Sequence, residues 1–266
     1  MSRKQSQLIV LALSCLLSAG RVASAERDPK AEEIAHAMMR AMGGEDAWAL
    51  AHVVRFDFRV TAKGKVVANN LHLWDRKDGR YRLERMLKNG KREVVLFNIG
   101  DYQTHKAGSA YVNGKKVEGE AGRKAVDEAY ASYINDMWWL AMPWKWLDPG
   151  VNLKYQGSRN RNQESDDVVQ LTFGHVGLTP GDMYYAFVSR QSRLMTHWEY
   201  VLQSGDEGSW DWQYADIGFS NSKVKLARNH TSSDGKTTIN MGKVRILEQA
   251  DDAFFTDPSH LLSKLN

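Results

Sequence analysis

The chain has 266 residues, with 36 Lys and Arg against 32 Asp and Glu and a formal net charge of +4. No run of these cations forms the stripe that phosphate tracking needs, which sets nucleic-acid binding aside. The one cysteine, Cys15, falls in an N-terminal apolar run. With that run removed, disulfides, thiolate metal sites and a cysteine nucleophile are excluded together.

Arg3 and Lys4, the apolar run Leu8 to Leu17, and Val22-Ala23-Ser24-Ala25 are the three parts of a secretory signal peptide, with cleavage expected after Ala25. The apolar run is too short for a bilayer-spanning helix, which needs roughly 20 residues. Residues 1–25 are therefore read as a leader, and 26–266 as one exported, periplasmic domain with no transmembrane segment after cleavage. Losing Arg3, Lys4 and Arg21 lowers the net charge to about +1. Lipid anchoring at Cys15 is the minor alternative: Ala12-Leu13-Ser14 fit a lipoprotein signal poorly, and the apolar run continues to Leu17. Only five prolines are present, scattered, and no tract reads as a linker.

Residues 30–42 form a helix, with Asp28 as cap, Pro29 in first position, Ile34, Met38 and Met42 on one face, and Gly43-Gly44 to stop it. Residues 45–50 add a further turn. The period then changes to two: Val54, Phe56, Phe58 and Val60 face one way, while Arg55, Asp57 and Arg59 are expected in water. Lys63-Gly64-Lys65, Asp78-Gly79, Asn89-Gly90 and Gly100-Asp101 separate further strands, among them 66–75, 93–99 and 102–106. Asn113-Gly114 closes another short hairpin. Over 122–142, Val126, Tyr130, Tyr133, Met137 and Leu140 recur at helical spacing. Pro143, Pro149 and Gly150 make the next segment irregular.

Strands resume at 151–156, 167–173, 183–189, 194–202, 211–219, 223–230 and 236–247, with Leu194, Trp198, Tyr200 and Leu202 on one face. Phe254-Phe255 reads as an apolar plug before a helical end at 260–265. The fold class is mainly β (α+β): one curled antiparallel sheet of ten to twelve strands forming an open half-barrel, with helices over its concave face.

No catalytic or cofactor motif appears: G-x-S-x-G, the P-loop, G-x-G-x-x-G and H-E-x-x-H are all absent. The eight histidines show no paired spacing. A zinc site drawn from His72, His105 and His197 would leave no such signal, but solvated or singly hydrogen-bonded rings are the simpler reading. Asp136, Asp148, Asp166, Asp167, Asp206, Glu207, Asp211 and Asp216 sit mainly in or beside turns, where aspartate is a turn former. A hydrolytic pair drawn from different strands is the competing, enzymatic reading.

The tryptophans carry more information, since four of nine fall at 138, 139, 144 and 146. Trp138 and Trp139 point about 100° apart on a helix, so one is expected in the core and the other toward a groove. Trp144 and Trp146, in the proline-bounded loop, are expected not to be wholly core: they plug the open end of the sheet or form a lid over an apolar cavity. The expected ligand-binding set is Phe56, Phe58, Trp138, Trp139, Met142, Trp144, Trp146, Trp198 and Tyr200, with no metal.

The leader, the helix ending in Gly43-Gly44 and the long sheet broken by a helix resemble the LolA/LolB-like carriers of the lipoprotein-localisation superfamily. The exported outer-membrane lipoprotein-sorting-like proteins of that superfamily are the nearer match. The phrases that carry this are YINDMWWLAMPWKWLDPGVNLKYQG (133–157), QLTFGHVGLTPGDMYYAFV (170–188) and DDAFFTDP (251–258), which are packing and turn motifs. The resemblance implies a half-barrel whose apolar concave face holds lipid or acyl chains. It implies a non-enzymatic periplasmic binding or carrier protein in envelope lipid or lipoprotein handling, with an envelope protein as a further partner. No segment marks a surface for handing over acylated proteins, so the sorting role is not carried over. An envelope hydrolase and a ligand-free structural module are the alternatives.

Overall fold

The computed structural model describes residues 25–174 and 179–265. The expected leader, Ala25 excepted, lies outside them, and Cys15 with it. Helix α1 (Pro29–Ala41) starts as expected, with the Asp28 side chain accepting from the Lys30 N–H, and buries Ala31, Ile34, Ala35, Met38 and Met39. After α2 (Glu45–Ala49), the first half of the sheet runs through β1 (Val53–Ala62), β2 (Lys65–Asp75), β3 (Arg80–Met86) and β4 (Arg92–Asn98). It ends in the hairpin β5 (Ser109–Val112) and β6 (Lys115–Val117).

Between β4 and β5 lies a helix, α3 (Ile99–His105), where the sequence pattern predicts a strand at 102–106. The reason is local: the Asn98 side chain accepts from the Gly100 and Asp101 N–H groups, which starts a helix in place of a tight turn.

The long helix α4 (Gly119–Ala141) and a 3-10 turn (Met142–Lys145) follow. The second half of the sheet is β7 (Val151–Arg161), β8 (Glu164–Phe173), β9 (Met183–Ser189), β10 (Met195–Val201), β11 (Glu207–Phe219), β12 (Ser222–Ser232) and β13 (Thr237–Leu247). A short helix, α5 (Ala253–Thr256), and a terminal 3-10 turn (Leu262–Lys264) close the described chain. Only that last turn forms where a helical end was expected.

The thirteen strands of the described residues belong to one sheet, ordered β6-β5-β4-β3-β2-β1-β13-β12-β11-β10-β9-β8-β7. This is the expected open antiparallel sheet, with one strand more than the expected range. The two halves join where β1 pairs β13, Val53 opposite Leu247. In consequence β6 and β7, consecutive strands of the chain, lie at opposite edges of the sheet. The start of the β7 edge is covered by residues 26–28: Leu153 N–H donates to the Glu26 carbonyl at 2.9 Å, and Asp28 N–H to the Leu153 carbonyl at 2.9 Å. Pairing of this kind removes a site for edge-to-edge association.

Strand alternation sends one set of side chains to each face. The main core includes Val54, Phe56, Phe58 and Val60 of β1, Tyr81 and Leu83 of β3, Trp198 and Tyr200 of β10, and the buried faces of α1 and α4. A smaller cluster on the other face packs Phe254, Phe255 and Leu262 against Val53 and Leu73. Arg82 anchors that tail, donating to Glu84 (2.7 Å) and to the carbonyls of Phe254 (2.9 Å), Asp257 (2.9 Å) and Pro258 (3.2 Å). Arg55 corrects an expectation. It is buried rather than in water, with its guanidinium held by Asp57 at 2.5 Å, while Arg59 is exposed.

Candidate functional site

The concave interior is the place where the predicted ligand-binding residues meet. Phe56, Phe58, Trp138, Trp139, Met142, Trp144, Trp146, Trp198 and Tyr200 all belong to one buried apolar cluster. The expected split between Trp138 and Trp139 does not occur, because α4 lies in a concavity with aromatic walls on more than one side. Trp138 packs against Phe173 and Tyr184, with centroids 5.8 and 6.0 Å away. Trp139 enters a second wall, 4.7 Å from Trp198, 5.0 Å from Trp210 and 6.0 Å from Trp212.

Trp144 and Trp146 are also core residues, against expectation. Trp144 stacks on Trp48 at 5.1 Å and donates its indole N–H to the Lys225 carbonyl at 3.2 Å. Trp146 is fully buried, with its indole N–H on the Met142 sulfur at 2.9 Å. The 3-10 turn is what allows this: it folds the proline-bounded segment back onto α2 and β12.

Sequence reasoning missed a buried polar network where α4 meets β2 and β3. The Asp136 carboxylate accepts from Asn70 (2.8 Å), His72 Nε2 (2.9 Å) and Asn135 (2.7 Å). Tyr81 Oη lies 2.7 Å from His72 Nδ1. Burial pushes the Tyr81 phenol well above its ordinary range. The Asp136 carboxylate accepts from Nε2–H, so in the neutral ring Nδ1 is left to accept from the protonated Tyr81 hydroxyl. Phe56 stacks on the imidazole at 4.5 Å. The available signal is the Asn135-Asp136 pair inside an otherwise apolar helical run.

The three histidines weighed as a zinc set do not converge. His72 is in this network, His105 ends α3 beside Thr104, and His197 pairs with Asp211 at 2.8 Å. Among the described residues no cluster of three or more His, Cys, Asp or Glu side chains is placed to hold a metal ion.

Most of the candidate carboxylates are held in ion pairs, and Asp166 and Asp211 share one arginine. Asp148 pairs with Lys145, Asp166 and Asp211 with Arg161, Asp167 with Arg190, and Asp216 with Lys225. Asp166 and Asp167 are neighbours on a strand, so they face opposite sides of the sheet. Their pKa values diverge accordingly. Burial holds Asp166 above its ordinary value despite Arg161; at Asp167 burial acts the same way, but hydrogen bonds from Arg190 and Tyr155 bring it below.

Two surface pockets lie away from this interior. One of about 420 Å³ is lined by Met86, Arg92, Val94, Pro258 and Leu261, and one of about 350 Å³ by Arg27, Asn152, Lys154 and Gln170. Neither touches any of the nine predicted residues.

The fold is thus an open antiparallel sheet with helices on its concave face, and several solved structures align with it over most of their length. A LolA superfamily protein from Nitrosomonas europaea aligns over 84% of this chain and 96% of its own, at 9% identity and a TM-score of 0.46. An outer membrane lipoprotein-sorting protein domain from Vibrio parahaemolyticus aligns over 85% and 97%, at 10% identity and a TM-score of 0.45. A DUF1329 family protein from Desulfovibrio piger aligns over 85% and 96%, at 10% identity and a TM-score of 0.41. No family model and no curated protein matches the sequence.

Proposed function

We propose that this protein is a periplasmic binding or carrier protein for an apolar ligand, a lipid or acyl chain, held between the sheet and the helical segment that crosses it. The observation that carries this reading is the connectivity of that segment. Helix α4 and the 3-10 turn run from β6 to β7, the two edges of the sheet. Twenty-three helical residues make a strap about 35 Å long. No strand lies within it, so it can lift without breaking the ladder.

The strap brings Trp138, Trp139, Met142, Trp144 and Trp146. The wall beneath brings Phe56, Phe58, Trp198 and Tyr200. Baring these aromatic surfaces to water is costly in proportion to area. An acyl chain that takes the place of the strap removes that cost, and each methylene it buries is worth ~0.8 kcal/mol. Export follows from the leader at 1–25, with Glu26 as the mature N-terminus, which intact mass of the exported protein checks.

The test of function is displacement of a fluorescent fatty acid, alongside native mass spectrometry of protein purified from membrane-containing cells. Binding by the wild type, weakened about tenfold or more in Trp144→Ala/Trp146→Ala with its circular dichroism retained, supports the reading. A wild type that neither co-purifies with lipid nor binds the probe makes the filled interior an ordinary core and the protein a structural module.

A further inference from the structure

Hydrogen bonding in the concave interior is incomplete. The indole nitrogens of Trp138, Trp198 and Trp212, the Tyr214 hydroxyl and both ring nitrogens of His230 are buried without a hydrogen bond of good geometry. Trp144 and Trp146, by contrast, each have a partner. A buried donor left unsatisfied costs at least as much as a typical hydrogen bond contributes, and folded proteins leave few of them.

Three of these residues stand together. Trp198, Trp212 and His230 stand on the neighbouring strands β10, β11 and β12 and are 0%, 3% and 1% exposed. Their rings form a chain, Trp198 to Trp212 at 5.0 Å and Trp212 to His230 at 4.3 Å, each edge to face. Trp139 of the strap lies against all three, 4.7, 6.0 and 5.2 Å away. An indole has no acceptor, so the Trp139 ring fills the space beside the Trp198 and Trp212 N–H groups without satisfying them, while His230 is left to the Trp139 backbone.

We propose that this nest is the seat of an uncharged hydrogen-bond acceptor, the ester carbonyl of an acyl ligand, which takes the indole N–H groups of Trp198 and Trp212 and the imidazole of His230 when Trp139 withdraws with the strap. The inference rests on the apolar-ligand reading above and adds to it the chemistry of the ligand's polar end. An uncharged group fits because the donors are neutral. Burial pushes the His230 imidazole down to about 3, and the rings against it are those of Trp139 and Trp212. A carboxylate buried there would face no cation among these rings, which is far more costly than burying a paired or neutral group.

The test uses the full exported protein and competition against the fluorescent acyl probe. The competitors are methyl decanoate, decanoate and a hydrocarbon of equal length, each delivered from cyclodextrin. The ester is expected to compete about five- to tenfold better than the hydrocarbon, the worth of one or two neutral hydrogen bonds, and better than the carboxylate. Trp212→Phe and His230→Phe should each bring ester and hydrocarbon within about twofold, with hydrocarbon binding retained. Dioctanoylglycerol competing better than a diacylglyceryl-cysteine peptide supports a free lipid as the source of the ester, and the reverse order supports a protein-borne acyl group. Equal competition by ester and hydrocarbon in the wild type overturns the ester seat and leaves the apolar-ligand reading standing. No competition by any of them overturns both. The wild-type comparison decides the matter even where a variant does not fold.

Discussion

Replacing Asp136 by alanine removes the acceptor for three donors at the contact between α4 and the sheet. Asn70, His72 and Asn135 lose bonds of 2.8, 2.9 and 2.7 Å. The side chains of His72 and Asp136 are 0% and 3% exposed, so water does not reach these donors without a rearrangement. Each orphaned donor costs ~1–3 kcal/mol, and release of the carboxylate's own desolvation offsets part of that. The net loss comes to about 3–5 kcal/mol, three orphaned donors less that offset. In a domain of this size, 1 kcal/mol moves Tm by roughly 2–4 °C, so the midpoint should fall by about 6–20 °C. Calorimetry at neutral pH measures the shift, and hydrogen exchange should show faster opening along α4 than along β11 or β12. Asp136→Asn keeps one acceptor and should lose about half as much. A midpoint within about 2 °C of wild type for Asp136→Ala, under 1 kcal/mol by the same conversion, would show that the network does not hold the strap down.

Two further outcomes follow from buried charge and buried imidazole. Arg82→Ala should cost about 3–5 kcal/mol, because Glu84 stays buried without its partner. It should also free the C-terminal tail, so that limited proteolysis trims residues beyond 250 before the sheet; a tail as resistant as in wild type refutes the anchor. His230→Phe probes linkage. The folded imidazole titrates at about 3, against an ordinary value of 6.5. Between these values the unfolded chain binds a proton that the folded chain does not, so stability falls as pH drops from about 6.5 toward 3, by at most ~1.4 kcal/mol per pH unit. The variant lacks this contribution and should gain on wild type over that window. Parallel stability curves from pH 7 to 4 would place His230 in contact with water.

Short-range features of this chain are legible in the amino-acid sequence, because they depend on residues within a turn of one another. The Asp28 cap with Pro29 starts α1 where the sequence predicts. Alternation puts Val54, Phe56, Phe58 and Val60 in the main core, and Asn113-Gly114 turns β5 into β6. Even there, local competition misleads once: the Asn98 side chain, bonding to the two N–H groups that follow, makes a helix from a segment that reads as a strand.

The site itself is half legible. The sequence names aromatic residues for the interior. It does not reveal that Trp138, Trp139, Trp144 and Trp146 are all buried, because that depends on walls contributed from several sides. Asp136 and His72 meet across 64 positions, and Trp139 meets His230 through a strand at the far end of the chain. Only the pairing of β1 with β13 puts β6 and β7 at opposite edges and makes a strap of the helix between them. Periodicity tells which side of its own strand a residue takes; what it finds there is decided by long-range pairing, which no local pattern encodes.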